Sequence, residues 1–190
     1  ALILFGLPGS SPEDDSIAVL PTATPSAFPL EGRAKGFAGA PVTVLEYSDF
    51  QCSYCGQFAK EVEPTLEKEY IATGKVRFEY RHMVVAGEES ALAAEASECA
   101  REQDKFWPYH DLLFASQSGE KKGTFSGVKL KGMASKLWLE RKTFDSCLDS
   151  RKYRTAVTQQ TQEGRSRGIS GTPSFFIEGQ VLRGLPDIKD

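Results

Sequence analysis

This 190-residue chain predicts an α/β fold: a small sheet in two halves, with a helical subdomain inserted between them. Three observations predict it. An apolar run from Val42 to Tyr47 feeds directly into a long helical pattern. Apolar and charged residues then alternate through Val76, Arg77, Phe78, Glu79, Tyr80 and Arg81, as a half-buried strand requires. The pattern turns helical from Glu88 to about Gly164, and strand signals return only at Ser174. A helical block between two groups of strands is an inserted subdomain.

Taken in order, residues 1–39 read as an N-terminal apolar stub and flexible linker. The opening Ala1-Leu2-Ile3-Leu4-Phe5-Gly6-Leu7 is too short to cross a membrane. It is expected to be the tail of a removed signal peptide or a trimmed membrane anchor, with a plain chain boundary as the alternative. Pro8 to Gly39 lacks periodicity, and Pro21 to Pro29 has the composition of an extended tether. The folded domain is expected over 40–190. Val42–Tyr47 is its first strand. Cys52 to about Thr73 is a helix, with Phe58, Val62, Leu66 and Tyr70 four apart; Pro64 predicts a kink and Gly74 the end. The helical insertion is expected over 86–166. It holds an Ala-rich helix over Ser90–Arg101, an aromatic one over Phe106–Phe114 and a loop from Gly119 to Gly127. A short helix at Met133–Leu139, one around Phe144–Arg151 and one over Tyr153–Arg167 follow. Ser174–Ile177, a Glu178-Gly179 turn and Gln180–Leu182 close the chain as a hairpin.

Composition narrows the function classes. Hydrophobic residues make up 40% and charged residues 26%, as in ordinary soluble globular proteins, and the net charge of −3 gives no support to nucleic-acid binding. No apolar run reaches membrane-spanning length. Four cysteines, an even number, favour an oxidising compartment.

The most informative motif is Cys52-Ser53-Tyr54-Cys55, placed between the first strand and the helix. A strand feeding a helix whose first turn carries C-x-x-C is the layout of a thioredoxin-type redox site. The helix start offers unpaired N–H groups and positive dipole, which stabilise a thiolate, the species that attacks disulfides. A structural disulfide or half of a zinc site is the competing reading. Zinc needs about four N or S ligands, and Cys99 and Cys147 lack the partners to supply them. No metal and no cofactor are therefore expected.

Three ordered stretches carry a resemblance. Glu46-Tyr47-Ser48-Asp49-Phe50-Gln51-Cys52-Ser53-Tyr54-Cys55, then Lys105-Phe106-Trp107-Pro108-Tyr109-His110-Asp111, then Gly168-Ile169-Ser170-Gly171-Thr172-Pro173-Ser174-Phe175-Phe176 resemble the DsbA family of thiol–disulfide oxidoreductases, in the branch found in Gram-positive and related bacteria. The resemblance covers about Ala40 to Leu185. It implies a thioredoxin-like fold with an inserted α-helical subdomain and extracytoplasmic dithiol oxidation, whether periplasmic, in the cell envelope or secreted, with or without an N-terminal anchor. It implies Cys52 as nucleophile and Cys55 as the buried resolving thiol. Glu46, six residues before Cys52, would lie beneath the redox helix and relay the proton of Cys55; a glutamate reaching solvent is the alternative. Thr172-Pro173 matches the family's cis-proline loop, which would offer backbone groups to an extended substrate. Cys99 and Cys147 resemble a second, structural disulfide, worth about 4 kcal/mol for so long a loop; two buried free thiols are the alternative. Ser53 and Tyr54 should set redox poise. A histidine before the second cysteine would add positive charge, and Tyr54 cannot. Cys52 should therefore have a depressed pKa, in an oxidant weaker than the family extreme of about −120 mV, against about −270 mV for thioredoxin.

Other features read as structural. Phe106, Trp107, Tyr109, Leu112, Leu113 and Phe114 are expected to be core rather than groove. His82 and His110 have no partners that suggest catalysis. Lys121-Lys122 and Arg165-Ser166-Arg167 are expected to be solvated faces. The chain stops at Gly184–Asp190, barely a helix start, where the family usually adds a closing helix. The expected partners are reduced cysteine-containing polypeptides and a quinone-linked membrane oxidase of the DsbB or vitamin K epoxide reductase type. The competing functions are a disulfide reductase or isomerase, and a non-catalytic thioredoxin-like sensor domain tethered to a membrane protein.

Overall fold

The computed structural model describes residues 26–186. The apolar opening, most of the tether and the last four residues lie outside the described residues. Six strands form one sheet in the order β1-β2-β4-β3-β5-β6. β3 (Val42–Ser48) and β4 (Val76–His82) are parallel, and every other neighbouring pair is antiparallel. β5 (Ser174–Ile177) and β6 (Gln180–Arg183) form the expected hairpin. Its turn residues Glu178 and Gly179 both have positive φ, 48° and 86°, the conformation of the two-residue turns that match strand twist.

The sheet begins earlier than the boundary at Ala40. β1 (Leu30–Glu31) and β2 (Ala34–Lys35) form a small hairpin, and β2 pairs with β4 through Ala34↔Glu79 and Lys35↔Phe78. Strands of two residues carry no readable alternation, so this stretch looks like linker in the sequence.

Between β4 and β5 lie five helices: α3 (Glu88–Arg101), α4 (Phe106–Ala115), α5 (Gly127–Lys136), α6 (Arg141–Asp149) and α7 (Arg154–Ser166). α5 starts well before Met133; Gly127 and Gly132 dilute its pattern. Cys99 on α3 and Cys147 on α6 form a disulfide that staples two helices of this block. The aromatic residues of α4 are buried in the core, as are His82 and His110.

The redox helix departs from a simple kink at Pro64. α1 (Ser53–Gln57) widens into a π-helical turn (Phe58–Val62), returns to α geometry as α2 (Glu63–Leu66), and widens again (Glu67–Ile71). Pro64 falls in the first turn of α2, where its missing N–H costs least. The main core lies between the α1 side of the sheet and the helical block. On the opposite face Tyr47, Met83 and Ile169 form a smaller cluster under α7. α7 approaches closely there, since a Cβ on Gly164 would stand 2.9 Å from the Tyr47 ring.

Candidate active site

β3 positions the site by its register. Side chains alternate between faces, so Val44, Glu46 and Ser48 share one face and Leu45 and Tyr47 the other. Glu46 pairs with Tyr80 of β4 on one side and Phe175 of β5 on the other. It is therefore held mid-sheet, 1% exposed, beneath the redox helix. Neither of its carboxylate oxygens has a hydrogen-bond partner among the described residues. Burial first, and the nearby charge of Glu63 second, push its pKa well above the ordinary carboxylate value. The reading of Glu46 as a solvent-reaching glutamate is excluded by this burial.

After β3 the chain turns tightly. Cys52 N–H donates to the Asp49 carbonyl at 3.0 Å, and Cys52 takes the extended N-cap conformation of α1. Its half-exposed thiol donates to the Thr172 carbonyl at 3.3 Å. Cys55, one turn in, is 0% exposed. Both cysteines are reduced here. Their environments separate them sharply. The Cys52 pKa falls from 9.0 to about 6, chiefly through a hydrogen bond from the Cys55 thiol. Burial opposes this, and the Thr172 side chain and the N–H groups of Cys55 and Tyr54 add to the fall. Burial, then the neighbouring Cys52, drives Cys55 well above 9.0.

Thr172 and Pro173 close the other side of the thiol pair, and the bond between them is cis. Tyr54 and Ser53 point outward; Tyr54 is 62% exposed, a free aromatic surface beside Cys52. Among the described residues no cluster of three or more His, Cys, Asp or Glu side chains could hold a metal ion.

Several supporting residues were not evident in the sequence. Asp49 is buried, and its carboxylate accepts from Gln51 N–H (2.8 Å), Ser90 Oγ (2.6 Å), Val85 N–H (2.7 Å) and Ala86 N–H (3.0 Å). It ties the redox turn to the β4–α3 loop. An aspartate just before a tight turn is a readable Asx signal, though its distant partners are not. Gln117 donates to the carbonyls of Phe50 (2.7 Å) and Cys52 (3.0 Å). Lys35, from the stretch read as linker, is buried; it pairs with Glu63 at 2.7 Å and with Glu67, and its Nζ lies 3.9 Å from the centre of the Trp107 ring.

Comparison with known proteins adds a decisive finding: the thioredoxin family model matches residues 30–190. The chain belongs to the thioredoxin family. Within it the chain is DsbA-like. It is 28% identical over 154 residues to disulfide bond formation protein D of Bacillus subtilis, covering 80% of this chain and 69% of that protein. The crystal structure of oxidised BdbD from Bacillus subtilis superposes with a TM-score of 0.77 at 26% identity, covering 85% of this chain and 90% of that one. The chain is also 33% identical over 163 residues to the Na(+)/H(+) antiporter NhaA 1 of Salinispora arenicola. That match covers 85% of this chain but only 24% of the antiporter, so the chain spans about a quarter of that relative. The thioredoxin-like fold with an inserted helical block is thus common to this chain and its DsbA-like neighbours.

Proposed function

We propose that this DsbA-like chain is an extracytoplasmic thiol–disulfide oxidoreductase that oxidises cysteine pairs in exported polypeptides. The observation that carries the reading is the asymmetry of the two cysteines: an accessible thiol at about 6 beside the Thr172 carbonyl, and a buried partner far above it.

In the oxidised enzyme a substrate thiolate attacks Cys52 Sγ. The Cys52–Cys55 bond breaks, Cys55 leaves as a thiolate, and a mixed disulfide joins substrate to Cys52. Cys55 then takes up a proton, for which protonated Glu46 is the buried donor. The substrate's second thiolate attacks its own sulfur in the mixed disulfide and expels Cys52. Cys52 is a good leaving group because its thiolate is stabilised. Two electrons pass from substrate to enzyme for each disulfide made; of the two thiol protons the substrate gives up, one ends on Cys55 and, where Cys52 stays a thiolate, the other goes to solvent. Thr172 and Pro173 border the path of an extended substrate, and exposed Tyr54 and Ser53 border it opposite. Reoxidation returns two electrons to a disulfide-bearing partner, for which a quinone-linked membrane oxidase of the DsbB or vitamin K epoxide reductase type is the expected class.

One observation favours a second reading. The identity to a region of sodium–proton antiporters supports a thioredoxin-like domain working as part of a membrane protein. Incubating the oxidised protein with a reduced, unfolded disulfide protein tests the first reading: stoichiometric transfer of disulfides, lost in Cys52→Ala, is expected. If thiols are not consumed, and a redox potential near or below about −270 mV is found, the oxidase reading fails and a reducing role takes its place.

A further inference from the structure

We propose that the face around Cys52 carries a basic subsite that selects polypeptide segments bearing carboxylates beside their reactive cysteine; the proposal rests on the oxidoreductase reading above. The sequence marks two short basic motifs, Lys121-Lys122 and Arg165-Ser166-Arg167, that the redox chemistry does not use. The fold fastens the Lys121 loop to the residue before Cys52, and Arg165 lines a cavity whose wall includes Ser170 of the loop leading to Thr172, while Arg167 pairs with Glu163 and lies over the Phe176 ring.

On the loop that leads to Thr172 lies a cavity of about 440 Å³, lined by Met83, Val85, Arg165, Gly168, Ile169 and Ser170. Two loops form its walls, and both are fastened to the redox turn. The β4–α3 loop is held by Asp49, three residues before Cys52, through the Val85 and Ala86 N–H groups. The α7–β5 loop runs through Ser170 to Thr172, whose carbonyl accepts from the Cys52 thiol. Val85 is 47% exposed, while Met83 and Ile169 are buried behind it. The cavity therefore has an apolar floor and one cationic side, at Arg165. An extended chain advances about 3.3 Å per residue, so a cysteine bound at Cys52 places its near neighbours over this cavity.

A second basic element lies on another side of the turn. Lys121 N–H donates to Gln51 Oε1 at 2.7 Å, and Gln51 precedes Cys52 directly. Gln117 fastens the same loop to the Cys52 carbonyl. Lys121 also reaches the β4–α3 loop: its Cε would stand 3.9 Å from a Cβ on Gly87. Beyond Arg165 a further cavity of about 280 Å³ runs between α3 and α7, with Arg154 on its wall. Its carboxylates, Glu88 and Glu95, are both engaged by Arg151.

Among the described residues Lys121, Lys122, Arg154 and Arg165 form no ion pair, and Glu120 pairs with neither lysine. Arg165 lines the first cavity and, with Arg154, the second, and Lys121 and Lys122 lie on the loop fastened to Gln51, so cationic groups stand on two sides of the redox turn. Such a local field raises the encounter rate of anionic partners and disfavours cationic ones. The occupant that fits is an extended segment with an apolar side chain over Val85 and carboxylates against Arg165 and the lysine loop.

The test compares two dithiol peptides, identical except for Asp-Asp or Lys-Lys flanking the first cysteine, as substrates of the oxidised protein. The acidic peptide should be oxidised about tenfold faster at low ionic strength, and the advantage should collapse at high salt. Replacing Lys121→Gln, Lys122→Gln and Arg165→Gln together should bring the ratio of the two rates close to one. The neutral substitutions keep the fold testable, and circular dichroism checks it. Equal rates in the unaltered protein, or a preference for the lysine peptide, overturn the proposal. Failure of the unaltered protein to exchange with a small neutral disulfide would instead overturn the underlying redox reading.

Discussion

The reduction potential of the Cys52–Cys55 pair should depend on pH in a way that ordinary thiols would not produce. Reducing a disulfide to two thiols takes up two protons with two electrons. A tenfold change in equilibrium constant is about 30 mV for this couple, so the potential falls by about 59 mV per pH unit. Where Cys52 is already a thiolate, only one proton is taken up and the slope halves to about 30 mV. With Cys52 at about 6 and Cys55 well above 9.0, the break should fall near pH 6 and the shallow slope should persist past pH 8. Two unperturbed thiols would keep the steep slope until close to 9.0. The size of the effect at pH 7 follows. Lowering one thiol from 9.0 to about 6 favours the reduced form by about 1.4 kcal/mol at that pH. Solvent screening at this half-exposed sulfur brings it to about 1 kcal/mol, or about 20 mV. The stabilisation is full above pH 9.0, shrinks as pH falls toward 6, and is gone below 6, where the depressed thiol binds its proton in both native and unfolded chains. The assay is equilibration with thiol–disulfide buffers from pH 5 to 9, reading the reduced fraction by alkylation and mass spectrometry. A slope that stays near 59 mV per unit up to pH 8 would refute the thiolate assignment.

Removing the Cys55 thiol in Cys55→Ala should raise the Cys52 pKa, because that thiol's hydrogen bond is the largest cause of its depression; thiolate ultraviolet absorbance reads this, and an unchanged value would move the cause to the helix N–H groups and Thr172. Glu46→Gln should slow formation of the mixed disulfide, in which Cys55 leaves and is protonated, while stabilising the fold at pH 8. The native state holds a proton on Glu46 that the unfolded chain releases above about pH 4.5, so wild-type stability falls with rising pH by up to about 1.4 kcal/mol per unit. Denaturant midpoints at pH 5 and pH 8 check it, and the same pH slope in the variant would contradict it. Cys99→Ala with Cys147→Ala removes a bridge across 48 residues, and should cost about 4 kcal/mol with little change in the Cys52 pKa; a shifted thiol titration would tie the insertion to the chemistry. Glu98→Gln should flatten the acid limb of stability. Burial alone would raise the Glu98 pKa, but His82 and Arg33 outweigh it and bring it from 4.5 to about 2. That ion cluster contributes about 3 kcal/mol above pH 4.5, lost as pH falls toward 2. Unfolding midpoints from pH 5 to pH 2 that match wild type would refute it.

Most of the site's backbone was legible because it rests on local signals. A strand, a C-x-x-C pair and a helix are contiguous, and Glu46 is read by counting back along a strand of known period. The order of strands and helices likewise follows from patterns long enough to show their period. The supporting shell was not legible for a physical reason. Lys35 meets Glu63 across 28 residues, and the Asp49 carboxylate meets Ser90 across 41. Nothing in a buried lysine's own neighbourhood distinguishes it from a solvated one, and a two-residue strand has no period. The basic motifs at Lys121 and Arg165 read as solvated surface, and the structure has these side chains exposed.

What decides the chemistry is depth rather than residue type. Cys52 and Cys55 are the same side chain, three positions apart, yet their pKa values move in opposite directions. The helix start places one sulfur among N–H donors at the surface, and a single turn inward places the other against the sheet. Glu46 owes its place to register. Shifting β3 by one residue would carry it to the α7 face, among Tyr47, Met83 and Ile169, and bring an apolar side chain beneath the thiols. Pairing with both β4 and β5 opposes that slip. An unpartnered carboxylate in such a position lowers stability, and a leucine of similar size would pack there more favourably. The fold therefore carries a cost at Glu46 that packing does not explain and that the proposed donation of a proton to Cys55 would.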